Sequence, residues 1–290
     1  MATPKYDIDL RGKSVLVTGG SMGLGLEAAR VCLSYGADVL LCARGAAALQ
    51  QAGAELSAAH PQRRIATQAG DIGNEADVER IFEAMRSQLG ACDALVHAAA
   101  VLGPIGTIGE VDASAWLDAL RINLFGTFLV ARAAARSMQA GGRIVLFSGG
   151  GAASAFPNYT AYACSKAAVV RFTETIAQEL GPGIEVNAVA PGFVATRMHQ
   201  ETLAAGARAG EEFFEKTRAM IDADGGVSPT VAAEACAFLI SDAAKGITGK
   251  LVAAVHDKYR EWPLHLAELR GGDLFTLRRI VPRDRGLDWQ

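Results

Sequence analysis

The chain has 290 residues, half of them apolar, and its 28 basic and 31 acidic residues leave a net charge of −3 with no basic stripe, which argues against nucleic acid as a partner. No apolar run reaches the length of a membrane span, and Met1–Leu10 lacks the apolar core of a secretory leader. The five cysteines (Cys32, Cys42, Cys92, Cys164, Cys236) are scattered, with no CxxC pair and no clustering with histidine, so no metal site is expected and a reducing, cytoplasmic setting is.

Short apolar runs alternate with helical patterns. Ser14–Thr18 (SVLVT) predicts a strand and Leu24–Tyr35 a helix. Ala37–Cys42 predicts a second strand, followed by an alanine-rich helix to about His60. A third strand is expected at Arg64–Gln68, a helix at Glu75–Leu89 and a fourth strand at Ala94–Ala98. One long helix over Asp112–Met138, a strand at Arg143–Phe147, a helix over Tyr159–Leu180 and a sixth strand at Ile184–Val189 complete the series. Near-continuously apolar strands separated by helices predict an α/β fold with a doubly wound, Rossmann-like parallel sheet. The reading is a single catalytic domain over residues 1–255 and a C-terminal extension over 256–290.

Two regions break the rhythm. Arg197–Gly226 is polar with a helical pattern, and reads either as a lid over a substrate or as a solvated amphipathic helix pair. The extension carries Trp262, Trp289 and the basic, apolar run Leu277–Val281, and is expected to dock on the domain, over its pocket, or on a neighbouring subunit.

Thr18-Gly19-Gly20-Ser21-Met22-Gly23-Leu24-Gly25 follows the first strand and opens the first helix. Glycines there let the backbone approach a pyrophosphate, whose charge is stabilised by amides and dipole at the helix N-terminus. Farther on, Tyr162 and Lys166 stand four apart on one helix face. An ammonium beside a phenol favours the phenolate, which would draw the tyrosine towards neutral pH as a general acid/base.

With both motifs in place, the chain resembles the classical short-chain dehydrogenase/reductases from about Leu10 to Val255. The resemblance rests on the TGxxxGxG spacing, Asp71, Asn123 in Asn-Leu-Phe-Gly, Tyr162-x-x-x-Lys166, and Pro191-Gly192-Phe193-Val194-Ala195-Thr196. It implies Tyr162 as proton donor or acceptor and Lys166 as a ribose contact that lowers the phenol pKa. It makes Asn123 the holder of a relay water. It implies cofactor contacts from Gly19, Ser21, Met22, Gly23, Leu24, Gly25, Ile72, Ala98, Ala99, Pro191, Gly192 and Val194, with Asp71 at the adenine and Thr196 near the carboxamide. A homotetramer or dimer, built partly through Asp112–Met138 and Tyr159–Leu180, is also implied.

The second strand ends Leu41-Cys42-Ala43-Arg44, with alanine where an NAD-type acid would stand and arginine after it. That favours NADP over NAD. The family's active-site serine, thirteen residues before the tyrosine, falls on Gly149; Ser148 is one residue earlier and could reach the site only if the glycine run bends the chain. A backbone amide of that run is the other candidate to polarise a carbonyl. His97-Ala98-Ala99-Ala100 replaces the family's Asn-Asn-Ala-Gly, and His97 reads as a satisfied core or strand-edge residue. The implied function is hydride transfer between NADP(H) and a ketone or secondary alcohol of a small molecule, with a polar one such as a sugar hinted at. A cofactor-binding but catalytically impaired scaffold or sensor is the other reading.

Overall fold

The computed structural model describes residues 7–223 and 225–289; Met1–Tyr6, on which much of the leader reading rests, lie outside them. Seven parallel strands form one sheet in the order β3-β2-β1-β4-β5-β6-β7. They are β1 (Ser14–Thr18), β2 (Asp38–Ala43), β3 (Ile65–Ala69), β4 (Ala94–His97), β5 (Gly142–Phe147), β6 (Ile184–Ala190) and β7 (Leu251–Ala253). Every residue of β1, β4 and β5 is buried, which is why these runs are apolar throughout rather than alternating. Successive residues point to opposite faces: Val15 and Val17 join one core, Leu16 the other.

The first core lies under α1 (Gly23–Ser34), α2 (Ala46–Ala59) and α9 (Pro229–Ile240). The second lies under α3 (Glu75–Leu89), α5 (Gly126–Ser137) and α6 (Thr160–Glu179). In α3, Val78, Ile81, Phe82, Met85 and Leu89 recur at helical spacing and are all buried. Asn74 caps that helix by accepting from the Asp77 amide at 3.1 Å, and Gly90, at φ 90°, ends it. Each buried leucine- or phenylalanine-sized side chain contributes about 2 kcal/mol. Periodicity did not announce α9, because almost every position from Ala232 to Ile240 is buried and the helix has no polar face. Nor did it announce β7, whose three residues are too few to show alternation.

The helix expected over Asp112–Met138 is interrupted. It runs as α4 (Ala113–Leu120), a π-helical turn over Arg121–Phe125, and α5. The turn holds Asn123, which is buried with its side chain turned onto the main chain of Val101. Such a bulge inside a helix is a recurrent way to aim one residue at a functional site.

Strand order reverses between β1 and β4, which places a crevice beyond Thr18 and His97. At the far edge, the Ala188 amide donates to Lys250 O and the Ala254 amide to Ala190 O, so the amides of Leu251 and Ala253 point away from the sheet. The extension satisfies both. Leu251 N donates to Phe275 O at 2.8 Å, and Ala253 N to Asp257 Oδ2 at 2.7 Å. Trp262 packs against Phe275 with the rings tilted and their centroids 4.2 Å apart, and Lys250 Nζ donates to Leu274 O at 3.0 Å. The extension also contains the short helix α10 (Leu266–Gly271), whose Leu269 is buried in the first core.

Candidate active site

The loop after β1 is shaped for close approach. Gly19 has φ +68°, and a Cβ there would stand 2.8 Å from the Ala99 amide nitrogen. A Cβ on Gly25 would run into the Gly19 carbonyl. Met22 precedes α1 with no side-chain cap, and the first turn of α1 carries no acid. The first amides of the helix are therefore open to an anion.

These residues line a cavity of about 560 Å³ at the β1–β4 reversal. The cavity brings together Gly19, Ser21, Met22, Gly23, Leu24, Gly25, Arg44, Asp71, Ile72, Ala98, Ala99 and Thr196. Pro191, Gly192 and Val194 do not line it, nor do Tyr162 and Lys166. Val101, Ile122, Arg197, Met198 and Gln200 do, and the sequence reading missed them. Ile122 sits beside Asn123 and Val101 follows the fourth-strand run, so neighbouring positions were the only available signal. Arg44 is exposed at the rim, and among the described residues it makes no ion pair. Asp71 accepts from the Gly73 amide at 2.9 Å and lies 3.6 Å from Arg121.

His97 is fully enclosed between Thr18 and Thr127. Thr127 Oγ1 donates to Asn123 O at 2.6 Å, so towards His97 it can only accept. The imidazole proton is therefore on Nε2, which donates to Thr127 at 3.0 Å. Nδ1 then accepts from Thr18 Oγ1 at 2.8 Å. Burial, with a smaller contribution from the Lys166 charge, pushes this imidazole down to about 3, so it stays neutral. The chain of bonds ties the end of β1 to the π-turn.

Asn123 extends the network. Its Oδ1 accepts from the Val101 amide at 2.8 Å, and Nδ2 donates to Val101 O at 2.8 Å and to Ser165 Oγ at 3.1 Å. Ser165 in turn donates to Tyr162 O at 2.7 Å, on α6.

Lys166 is buried, and its Nζ donates to Phe147 O at 2.8 Å while standing 5.6 Å from the centroid of the Tyr162 ring. Burial pulls this ammonium down to about 8. Burial also pushes the Tyr162 phenol up to about 12. The expectation that Lys166 lowers the phenol is thus corrected for the chain by itself: desolvation outweighs an ammonium committed to a carbonyl.

Ser148 continues β5 and its amide donates to Val189 O at 2.8 Å. Its hydroxyl is sealed from solvent and finds no hydrogen-bond partner among the described residues. Gly149 lies against the phenol: a Cβ there would collide with Tyr162 Oη and stand 3.1 Å from Cζ.

The polar insert folds as α7 (Arg197–Ala205) and α8 (Glu211–Asp222) and is docked rather than free. Tyr159 stacks on Phe156 at 4.4 Å and meets Phe213 edge-on at 5.3 Å. Tyr159 Oη donates to Thr202 Oγ1 at 3.1 Å, and Asn158 Nδ2 to Arg208 O at 2.8 Å. With Arg197, Met198 and Gln200 on the cavity wall, the insert roofs one side of it. Among the described residues no cluster of histidine, cysteine or carboxylate side chains is arranged to hold a metal, and no helix is long and apolar enough to cross a membrane.

A cradle of open amides, a buried lysine and a tyrosine on one helix can bind a dinucleotide and move a proton. Relatives share the arrangement's sequence and fold. Residues 19–255 match the family model described as enoyl-(acyl carrier protein) reductase. The chain is 33% identical over 251 residues to the 2-(S)-hydroxypropyl-CoM dehydrogenase 3 of Xanthobacter autotrophicus, covering 84% of this chain and 95% of that protein. Among solved structures, a single-residue variant of actinorhodin polyketide ketoreductase with NADPH superposes with a TM-score of 0.75 at 30% identity, over 83% of this chain and 95% of that one. NAD+-bound xylitol dehydrogenase gives 0.76 at 25% identity, over 84% and 98%. The relatives are dehydrogenases and ketoreductases, and their common fold is the one described above: this chain belongs to the classical short-chain dehydrogenase/reductase superfamily.

Proposed function

We propose that the chain interconverts a ketone and a secondary alcohol of a small molecule with a nicotinamide dinucleotide, NADP(H) in preference to NAD(H). The observation that carries the reading is the buried Lys166, one helical turn from Tyr162 and bound to the end of β5, in the same fold as the glycine-cradled cavity at the β1–β4 reversal. When bound, the nicotinamide supplies or takes the hydride. Tyr162 gives the proton to the substrate oxygen or takes it back. Burial keeps the phenol protonated at neutral pH, the form that ketone reduction uses, while making its proton harder to release. Lys166 is proposed to contact a ribose hydroxyl, and Asn123 fixes the loop at Val101 that forms part of the cavity wall.

The first amides of α1, with Gly19, Ser21, Met22, Gly23, Leu24 and Gly25, are proposed to hold the pyrophosphate. Asp71 and Ile72 would face the adenine, Ala98 and Ala99 the ribose, and Thr196 the carboxamide end, with Pro191, Gly192 and Val194 supporting that last segment. The exposed, unpaired Arg44 fits a 2′-phosphate, and Ala43 leaves no carboxylate to repel it. The named neighbours bind NADPH in one case and NAD+ in the other, which supports a nicotinamide cofactor of either kind. All five cysteines are free, which fits a reducing cytoplasm. Leu117, Phe125 and Phe128 are exposed on α4, the π-turn and α5, an apolar face suited to a homo-oligomer contact.

The test is cofactor oxidation over a panel of ketones with Tyr162→Phe as control. Turnover by the wild type and its loss by at least about 100-fold in the variant is expected. Equal turnover in both removes Tyr162 from the chemistry. Cofactor binding without turnover on any carbonyl favours the scaffold reading.

A further inference from the structure

We propose that Gly149 is the seat of the Tyr162 hydroxyl, that the substrate oxygen therefore meets one side-chain donor, and that the chain is suited to electron-poor ketones. The inference rests on Tyr162 being the proton donor. β5 ends at Phe147, and the chain leaves the sheet through Gly149, Gly150 and Gly151. A Cβ on Gly149 would collide with Tyr162 Oη and stand 3.1 Å from Cζ and 3.3 Å from Cε1. The end of the phenol occupies the space that any other residue at 149 would fill. A hydroxyl-bearing side chain at 149 and the phenol in this position exclude one another.

The neighbouring hydroxyl does not take over. Ser148 is 2% exposed, its Oγ is closed off from solvent, and its amide is held in the ladder by Val189 O. Tyr162, by contrast, is partly exposed. The two hydroxyls do not open onto a common space.

In reduction, the carbonyl carbon gains a hydride from a reduced nicotinamide. The C=O π pair moves to the oxygen, which takes the proton of Tyr162 Oη to give the alcohol, and solvent returns a proton to the phenolate. Removing one preorganised donor from such an oxygen costs about 10²–10³ in rate. A ketone flanked by a second carbonyl or an ester is more electrophilic and spreads the developing charge. It depends less on a second donor than a dialkyl ketone does. With Tyr162 as the one side-chain donor, and only a main-chain amide of the glycine run to assist it, the substrate class best served is the α-dicarbonyls and α-keto esters.

The experiment uses the full chain with NADPH and NADH, the ketones 2,3-pentanedione and 2-pentanone, and the variants Gly149→Ala and Gly149→Ser. In the wild type, kcat/KM for the dione should exceed that for the monoketone by about 100-fold or more beyond the ratio that borohydride gives in solution. Gly149→Ala should lower kcat on the dione by about tenfold, through a displaced phenol, with cofactor affinity by fluorescence unchanged. A corrected preference below about tenfold overturns the substrate class. Gly149→Ala at wild-type kcat, or Gly149→Ser faster than wild type on both ketones, overturns the seat. The wild-type ratio stands without any variant and decides the substrate class even if Gly149→Ala fails to fold. Cofactor binding with no turnover of either ketone or of the wider panel overturns the underlying reading itself, a result distinct from those above.

Discussion

Lys166 Nζ donates to the main-chain oxygen of Phe147 at 2.8 Å, so a buried ammonium is anchored to the end of β5 rather than to the phenol one turn away. Stability and activity then pull in opposite directions at this residue. Lys166→Met removes a buried charge and leaves an apolar stem of similar length, so melting temperature should hold or rise, while kcat should fall by at least about 100-fold. The ammonium titrates at about 8 in the fold against 10.5 unfolded, so the unfolded chain binds more protons between those values. Wild-type stability should therefore climb as pH rises from about 8 towards 10, where Tyr162 begins to act in the opposite sense, and Lys166→Met should lack the climb. Denaturant titrations across that range, on both proteins, measure it.

His97 titrates at about 3 in the fold against 6.5 unfolded. Below about 6.5 the unfolded chain takes up a proton that the folded chain refuses, so stability is lost as pH falls through that window. At about pH 4.5 the loss amounts to roughly 3 kcal/mol. His97→Asn keeps a polar side chain between Thr18 and Thr127 without the titration. Its unfolding free energy should fall less steeply than that of the wild type between about pH 6.5 and 4.5, and parallel curves would contradict the buried neutral imidazole.

Among the described residues Arg44 makes no ion pair at the cavity rim, which leaves its charge open to the proposed 2′-phosphate. Arg44→Asp should raise KM for NADPH by about 10- to 100-fold, the worth of a charge-assisted hydrogen bond with its sign reversed. KM for NADH should change little or improve. Steady-state kinetics with both cofactors decide it, and a wild-type preference for NADH would remove Arg44 from phosphate recognition.

Ending the chain after Gly271 frees the Leu251 amide, strips Phe275 from Trp262 and leaves Lys250 without the Leu274 carbonyl. Losing partners for groups at a buried edge should lower the melting temperature by about 5 °C. The reopened strand should also promote association. Light scattering across a concentration series should show species larger than the full chain forms; unchanged mass and melting temperature would leave the edge closed by something else.

Much of this architecture could be read from residue patterns because the middle of the sheet is buried on both faces: β1, β2, β4, β5 and β6 are largely apolar runs between helices, and the glycine loop lies at the first strand–helix turn. The interruption at Arg121–Phe125 could not, since a π-turn changes hydrogen bonding without changing the apolar pattern of Ile122, Leu124 and Phe125. At the site, the spacing of Tyr162 and Lys166 predicted their shared helix face, but not that Lys166 would turn to Phe147 O, which depends on where β5 ends. The counting that put Gly149 in place of a serine was legible in sequence; the phenol resting against it was not, because that contact joins residues thirteen positions apart across a turn of three glycines. The insert's docking depends on Phe213 meeting Phe156 and Tyr159, a tertiary contact that helical periodicity does not encode.

Tyr159 and Tyr162 hang from the same first turn of α6, one gripping the roof through Thr202 and Phe213, the other carrying the proton. The packing of α8 therefore bears on the turn that aims the phenol. Roof and proton donor are thus anchored through one short stretch of chain, so a substitution that loosens Tyr159 acts on both.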